Sequence, residues 1–482
     1  MNTTIRQDDR GMADVIIGSD RWSGRLVDAI EAECRLYRQD RRRQPAIRQV
    51  RVVVPAVDPL DWLRAQDAPE RMYWRGRDEA DGWAAVGLAH EVAASAGDPA
   101  MTIRDTLDAM LSRAAPGVRY VGGMRFDPGR AAADEWQPFD RARFVLPRFV
   151  LESGPAGTFL ACNLVLPEDA ERLEEIRQAV ARLGEPMTPG HALLPVPVGR
   201  NDIPGPAEWA ANINRAVARF EAGSSEKKGS LEKVVLARRS TFQFAETLDP
   251  TLLLQRLQAA TPHCFHFLMQ FESGGAFLGA SPERLFRRDG RQIRSEAVAG
   301  TRPRGATAEL DAQLRQDLIH SDKDRREQDY VKTSIVEALD GLCSSLDVDK
   351  TPQVMELAKG RHLCSTIAGT LRPGVGDADI LQRLHPTPAV GGFPRAAAIG
   401  DIREVERFDR GWYAGPVGWI GRDRAEFAVA IRSGQVSPQS LTLYAGAGIV
   451  RGSEASREWA EIEHKISDFL NVLGLDFRDV KY

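Results

Sequence analysis

The chain lacks the features that mark secreted, membrane-spanning or nucleic-acid-binding proteins. Only five of its 482 residues are cysteine (Cys34, Cys162, Cys264, Cys343 and Cys364); they lie far apart, are odd in number and form no C-x-x-C pair. Neither a disulfide framework nor a zinc site is indicated, and buried reduced thiols in a cytoplasm are the simpler reading. Nowhere do about 18 apolar residues run together, and the longest notable uncharged stretch, Ser153 to Pro167, is broken by Gly and Pro. The first 20 residues mix Arg6, Asp8, Asp9 and Arg10 with small polar residues, without an apolar segment after a basic start, so no signal peptide is expected. An excess of one charge is missing too: 64 Lys+Arg against 68 Asp+Glu leave a formal charge of −4. Nucleic acid and membrane are thus not expected partners, and an anionic ligand must be held by a local site. The common nucleotide and protease motifs are absent. Gly446, Gly448 and Gly452 have the wrong spacing for a dinucleotide fingerprint, and Ser281 lacks the second glycine of a nucleophile elbow.

What is present is the composition of a globular protein, 43% hydrophobic and 27% charged, enough for a sizeable core. Residues 22 to 40 carry apolar positions at helical spacing. Strand-like text follows at 50–54, 71–92 with a turn at 78–82, 119–125, 143–151 and 158–166. Short connections between these strands favour antiparallel pairing over a doubly wound parallel sheet. A helix over 167–183 and a Pro/Gly-rich stretch, 184–206, separate an N-terminal part (1–200) from a catalytic region (201–482). That region opens with a helix at 208–221, a polar loop at 224–230 and a strand at 233–244. Strands near 265–271 and 293–298 precede two helices over 308–346. Strands at 363–371, 412–420, 427–436 and 441–445 lead to a closing helix over 453–473. The pattern is α+β.

The chemically dense segments all follow residue 230. Glu458, Glu461 and Lys465 share one helical face, as do Asp324 and Glu327. Surface ion pairing is the commoner reason for such spacing, but two acidic faces can also converge on magnesium, a hard cation that takes oxygen ligands. Tyr444 to Ser453 reads as a strand passing through glycines toward a helix start, either a tight turn or an anion cradle. Arg432, on the strand beginning near Phe427, is a usual strand arginine or a carboxylate clamp. Lys233 opens its strand as an edge lysine or, if buried, a base. Glu283 sits where the chain leaves a strand, a position more often solvent-facing, and His362 and Glu296 lie on or beside strands.

Taken together, these segments resemble the chorismate-utilising enzymes, which include anthranilate, aminodeoxychorismate, salicylate and isochorismate synthases. The similarity is an ordered series over most of 206–475: Lys233-Val-Val-Leu-Ala-Arg238, Phe277-Leu-Gly-Ala-Ser-Pro-Glu-Arg-Leu-Phe286, Ser295-Glu-Ala-Val-Ala-Gly-Thr-Arg302, Asp322 to Gln328, Leu384 to Gly392, Tyr413-Ala-Gly-Pro-Val-Gly418, Tyr444 to Gly452, and Glu458 to Lys465. The wording resembles isochorismate synthases most, especially those of menaquinone type, and Tyr73-Trp74-Arg75 with the Asp81-Gly82 turn resembles their opening strand pair. The resemblance implies an anthranilate synthase component I-like fold of large antiparallel sheets flanked by helices, expected to form one structural unit. It also implies the roles of individual residues. Lys233 is the base and Glu283 the acid; both chemistries call for burial. Glu327 and Glu461 ligate Mg2+, with Asp324 and Glu458 holding metal-bound water. Gly300 and Thr301 contact the ring carboxylate, His362 the C4 hydroxyl, and Ala389 the ring, while Arg432, Lys465 and the Gly446 backbone hold the enolpyruvyl carboxylate.

Family members that use ammonia directly carry glutamine at the Lys233 position, so Lys233 points to water as nucleophile, with no glutamine amidotransferase subunit expected. Ala299 stands where aminodeoxychorismate synthases have a nucleophilic lysine. Salicylate synthases differ only modestly around Glu296 to Thr301. Gln328 and Ile462 replace the His and Thr of many members, which weakens the siderophore-type reading. A non-catalytic chorismate-binding regulator would not need Lys233, Glu283, Glu327 and Glu461 together. The expectation is therefore a cytoplasmic, monomeric or homodimeric isochorismate synthase.

Overall fold

The computed structural model describes residues 4–7, 13–16, 21–78, 82–94, 99–185, 192–222, 230–272, 275–357 and 360–475. Residues 79–81 of the expected 78–82 turn, 224–229 of the expected 224–230 polar loop and 186–191 of the Pro/Gly-rich stretch lie outside them. The first expected helix forms over Trp22–Gln39, burying Leu26, Ala29, Ile30 and Cys34 on one face, the helical period read from the sequence. The architecture is α+β, and among the described residues the strands pair antiparallel apart from the short parallel pairing of Ala13–Ile16 with Ala46–Val54.

The hydrogen-bonded ladder can be followed strand by strand. It runs from Pro197–Ile203 through Lys233–Phe244, Ser440–Ile449, Ser433–Ser437, Gly275–Ser281 and Phe265–Glu272. There it passes into the N-terminal third through Arg71–Arg75, Gly82–Ala94 and Ala142–Gly154. Arg119–Met124 then carries it back to Pro416–Gly421, Arg424–Val429, Arg284–Asp289, Gln292–Pro303 and Gly360–Leu371. N-terminal strands thus connect two runs of C-terminal strands within one continuous ladder. Part of the core is strongly aromatic: Trp136, Phe139, Phe277 and Trp412 meet edge to face, with ring centroids 5.3 to 6.4 Å apart.

Several boundaries differ from the sequence reading. The 167–183 helix breaks at Arg172 into Glu168–Glu171 and Leu173–Ala181, because Arg172 leaves the helical region at ψ 28°. The second of the paired helices stops at Asp340, and Cys343–Val348 forms a strand against Gly360–Leu371. The 412–420 strand begins only at Pro416. The 427–436 strand is two strands, interrupted at 430–432, where Arg432 adopts a φ of 50°. The glycines of Tyr444 to Ile449 are strand rather than turn. All five cysteines are unpaired; four are buried and Cys364 is half-buried. Among the described residues no helix is long and apolar enough to cross a membrane.

Candidate active site

Lys233–Phe244 is rich in β-branched and apolar residues and pairs with strands on both sides, and its first six residues are buried on both faces. Lys233 and Val235 share one face. Val235 lines a cavity of ≈290 Å3, and Lys233, fully buried, lies one contact behind its wall, where its Nζ donates to Glu327 Oε1 at 2.8 Å. Gly448, directly opposite Val235, leaves room for that pair: a Cβ there would stand 2.8 Å from Glu327 Oε1 and 3.2 Å from Lys233 Cε.

Glu327 comes from the helix Asp322–Asp340, whose N-cap Ser321 Oγ accepts from Asp324 N–H at 3.2 Å. The helix projects Asp324 and Glu327 into the same cavity. Asp324 accepts from Arg302 Nη2 at 2.7 Å and packs under Gly300, whose φ of 71° favours glycine and where an added Cβ would stand 3.0 Å from Asp324 Cβ. The next residue, Gln328, is buried with its amide donating to Ser365 Oγ at 2.7 Å, so the departure from the common histidine is accommodated as a structural hydrogen bond.

Across the helix Ala455–Val472, Glu461 and Lys465 line the cavity while Glu458 lies buried one turn behind. Lys465 Nζ donates to Glu461 Oε1 at 2.5 Å and to the Gly446 carbonyl at 2.8 Å. Burial opposes ionisation of Glu461, but Lys465, together with Lys323 and Arg432, outweighs it and holds the carboxyl below its usual range. Burial and the neighbouring Glu461 charge push Glu458 upward, offset by Lys323, 3.6 Å away. Arg432 anchors one Nη to the Lys465 carbonyl at 3.0 Å and faces Asp468 at 3.6 Å.

Glu283 occupies the two-residue link between the strands Gly275–Ser281 and Arg284–Asp289. It is 5% exposed and lines the cavity, contrary to the ordinary expectation for a link residue. Its backbone is pinned: its N–H donates to Ser281 Oγ at 3.2 Å and its carbonyl accepts from Val429 N–H at 3.0 Å. Burial pushes its carboxyl from the ordinary 4.5 up to about 8; Lys233 and Lys465 pull it down and Glu296 pushes it further up. It therefore carries its proton at neutral pH.

His362 is held down to about 4 by burial, then by Arg432, and is neutral. Its Nδ1 donates to the Gly300 carbonyl at 2.9 Å, which leaves Nε2 as an acceptor. Thr301 Oγ1 lies 3.2 Å from the same Nδ1. Gly300, Thr301, His362, Ala389, Arg432, Gly446 and Lys465 all line the one cavity. Its volume is at the lower edge of small-ligand sites, about 300–1,000 Å3.

The sequence reading missed a supporting pair. Arg410 and Glu406 form a fully buried ion pair, with Arg410 donating to the carbonyls of Val390 (2.9 Å) and Val235 (2.7 Å) and Glu406 accepting from Ala237 N–H at 2.7 Å. It fixes two walls of the cavity. Nothing in its local wording marks it, since the pair reads as an ordinary i,i+4 surface bridge. Arg302, Lys323, Arg457 and Tyr413 also line the cavity; Arg302, Lys323 and Tyr413 stand inside three of the recognised segments.

The donors suit a hard cation. Asp324, Glu327, Glu458 and Glu461 present carboxylate oxygens, and each is compensated here by a lysine or arginine. Among the described residues no three His, Cys, Asp or Glu side chains would by themselves hold a metal ion, so substrate oxygens and water would have to complete the shell.

A family model described as chorismate binding enzyme matches residues 31–474. The chain belongs to the chorismate binding enzymes. It is 32% identical to the chloroplastic isochorismate synthase of Catharanthus roseus over 89% of this chain and 81% of the relative. It is 37% identical to the salicylate biosynthesis isochorismate synthase of Pseudomonas aeruginosa over 74% of this chain and 75% of the relative. The solved structure of MenF, the menaquinone-specific isochorismate synthase from Escherichia coli, superposes with a TM-score of 0.77 at 30% identity, covering 93% of this chain and 99% of that one. Anthranilate synthase component I from Streptococcus pneumoniae shares the fold, with a TM-score of 0.67 at 19% identity over 81% of this chain and 92% of that one.

Proposed function

We propose that this chorismate binding enzyme is an isochorismate synthase, moving the hydroxyl of chorismate from C4 to C2. The observation that carries the reading is a buried carboxylic acid, Glu283, still protonated at neutral pH, on the wall of a cavity that has a buried lysine one contact behind it. Water is a weak nucleophile and hydroxide a poor leaving group, so the reaction needs a base and an acid. Lys233 is assigned as the base that takes a proton from water as its oxygen bonds to C2. The diene electrons shift, the C4–O bond breaks, and Glu283 gives its proton to the departing hydroxyl, which leaves as water. Solvent exchange then resets both groups.

Arg432 and Lys465 would hold the enolpyruvyl carboxylate, Arg432 through donors beyond its bond to the Lys465 carbonyl and Lys465 beside the Gly446 backbone. His362 Nε2 can accept from the C4 hydroxyl, and the Gly300–Thr301 backbone and hydroxyl would meet the ring carboxylate. Glu327 and Glu461 would hold Mg2+, with Asp324 and Glu458 orienting its waters; when bound, the ion would supply positive charge to the ring carboxylate.

The likeness to a menaquinone-specific enzyme supports menaquinone formation as the pathway. Five unpaired cysteines support a cytoplasmic setting. The test is incubation of the purified protein with chorismate and Mg2+, without ammonia, followed by chromatography and mass spectrometry. A new species of unchanged mass, lost with chelator or with Glu283→Gln, is the expected result. Salicylate plus pyruvate would make the chain a salicylate synthase, and turnover only with ammonia would refute the role given to Lys233.

A further inference from the structure

The peptide that leads into Glu283 is contacted by an arginine far away in sequence and outside the cavity. Arg77 follows the strand Arg71–Arg75, which pairs with Phe265–Glu272, and this pairing carries it to the link that bears Glu283. Its side chain is 10% exposed. One Nη donates to the Pro282 carbonyl at 2.7 Å, and the two Nη groups straddle the Glu296 carboxylate at 2.8 and 2.9 Å. The guanidinium lies over the Phe265 ring, 5.5 Å from its centroid, and 3.5 Å from Met355 Sδ.

The Pro282 carbonyl belongs to the same planar peptide unit as the Glu283 N–H. Arg77 holds one end of that plane and Ser281 Oγ the other, while Val429 N–H holds the following carbonyl. Both peptides flanking the Glu283 Cα are therefore pinned, and a side chain with few remaining torsions is aimed at the cavity. Arg77 also shares the buried Glu296 with Arg284, whose Nη1 reaches the same carboxylate at 2.6 Å and whose Nη2 reaches Asp78 at 2.7 Å and Glu426 at 3.2 Å. Glu296 is the acidic neighbour that disfavours ionisation of Glu283, so its neutralisation bears directly on the acid.

We propose that Arg77 is a positioning residue for the acid of the reaction, fixing the Pro282–Glu283 peptide and compensating Glu296 from the N-terminal third of the chain. This rests on the isochorismate synthase reading above. The charged and titratable groups acting on Glu283 are Lys233 from one sheet, Lys465 from the closing helix and Glu296 from the strand behind it, with Tyr413 nearby. Arg77 does not line the cavity, so its loss should spare substrate binding.

The test compares full-length wild type, Arg77→Met, Arg77→Lys and Glu296→Gln, with kcat and KM measured from pH 5.5 to 9.5. Arg77→Met is expected to cut kcat at least about tenfold with KM within about twofold. The basic limb should shift upward by about half a pH unit or more, because Glu296 is left less compensated. Arg77→Lys should restore the limb but only part of kcat, since one ammonium keeps the charge without the fork. Glu296→Gln should shift the limb downward, and it reports on the same network if Arg77→Met does not fold. An Arg77→Met enzyme with wild-type kcat, or one whose loss is entirely a smaller active fraction with an unmoved limb, overturns the inference. Wild type inert toward chorismate overturns the functional reading and this inference with it, a result distinct from an active wild type with silent variants.

Discussion

Replacing Glu283 by glutamine should abolish turnover and at the same time stabilise the protein, by an amount that grows with pH. The native carboxyl is raised from 4.5 to about 8, chiefly by burial. Below pH 4.5 both folded and unfolded chains hold the proton and the position is neutral to stability. Between 4.5 and 8 the unfolded carboxyl ionises while the folded one does not, and stability is lost progressively; above 8 the loss is constant. At roughly 1.4 kcal/mol per unit, the loss is about 3 kcal/mol at pH 7 and about 5 kcal/mol above pH 8. Glutamine keeps the shape and never ionises, so it removes this loss. For a chain of this length about 1 kcal/mol corresponds to roughly one degree in Tm, so Glu283→Gln should melt about 3 °C higher at pH 7 and match wild type near pH 4.5. The assay is calorimetry in chelator across pH 4.5 to 8.5, paired with chorismate turnover. A melting difference that is flat with pH, or reversed, would refute the argument that Glu283 is a protonated acid.

Lys233→Gln should lower water-dependent turnover by about 100- to 10,000-fold, the range for removing a general base, with chorismate affinity nearly kept; comparing kcat with ligand titration checks it. Arg432→Ala should raise KM by about ten- to a hundredfold through loss of a charge-assisted contact, visible as weakened chorismate binding in calorimetry. Gly448→Ala puts a methyl 2.8 Å from Glu327 Oε1 and should displace the Glu327–Lys233 pair. Its expected readout is a loss of turnover greater than any fall in Tm. Chelation should stop turnover and Mg2+ restore it, and Glu327→Gln or Glu461→Gln should weaken Mg2+ binding measured by titration calorimetry; full turnover in excess chelator would remove magnesium from the reading.

Much of the site was legible because its chemistry is written in short, contiguous segments. The helical spacing of Asp324 with Glu327 and of Glu458 with Glu461 and Lys465 placed each set on one face before any fold was known, and the strand from Lys233 to Phe244 was readable from its β-branched run. Turns and breaks were less legible. The left-handed Arg432 carries no local signal, because its conformation answers to the strands on either side, and the Gly446–Gly448 run reads as a tight turn or an anion cradle although its glycines serve strand packing against Tyr413, Glu327 and Lys233. The sequence by itself determined which side chains are available for acid, base and anion contacts, since those depend on residue type and local period. Only the tertiary structure decided that Glu283 is buried enough to keep its proton, that Arg410 and Glu406 brace the cavity walls, and that Arg77 reaches the Pro282 carbonyl, next to the acid, from 205 residues away. Desolvation and long-range hydrogen bonds are set by what packs around a group, and no local pattern encodes that.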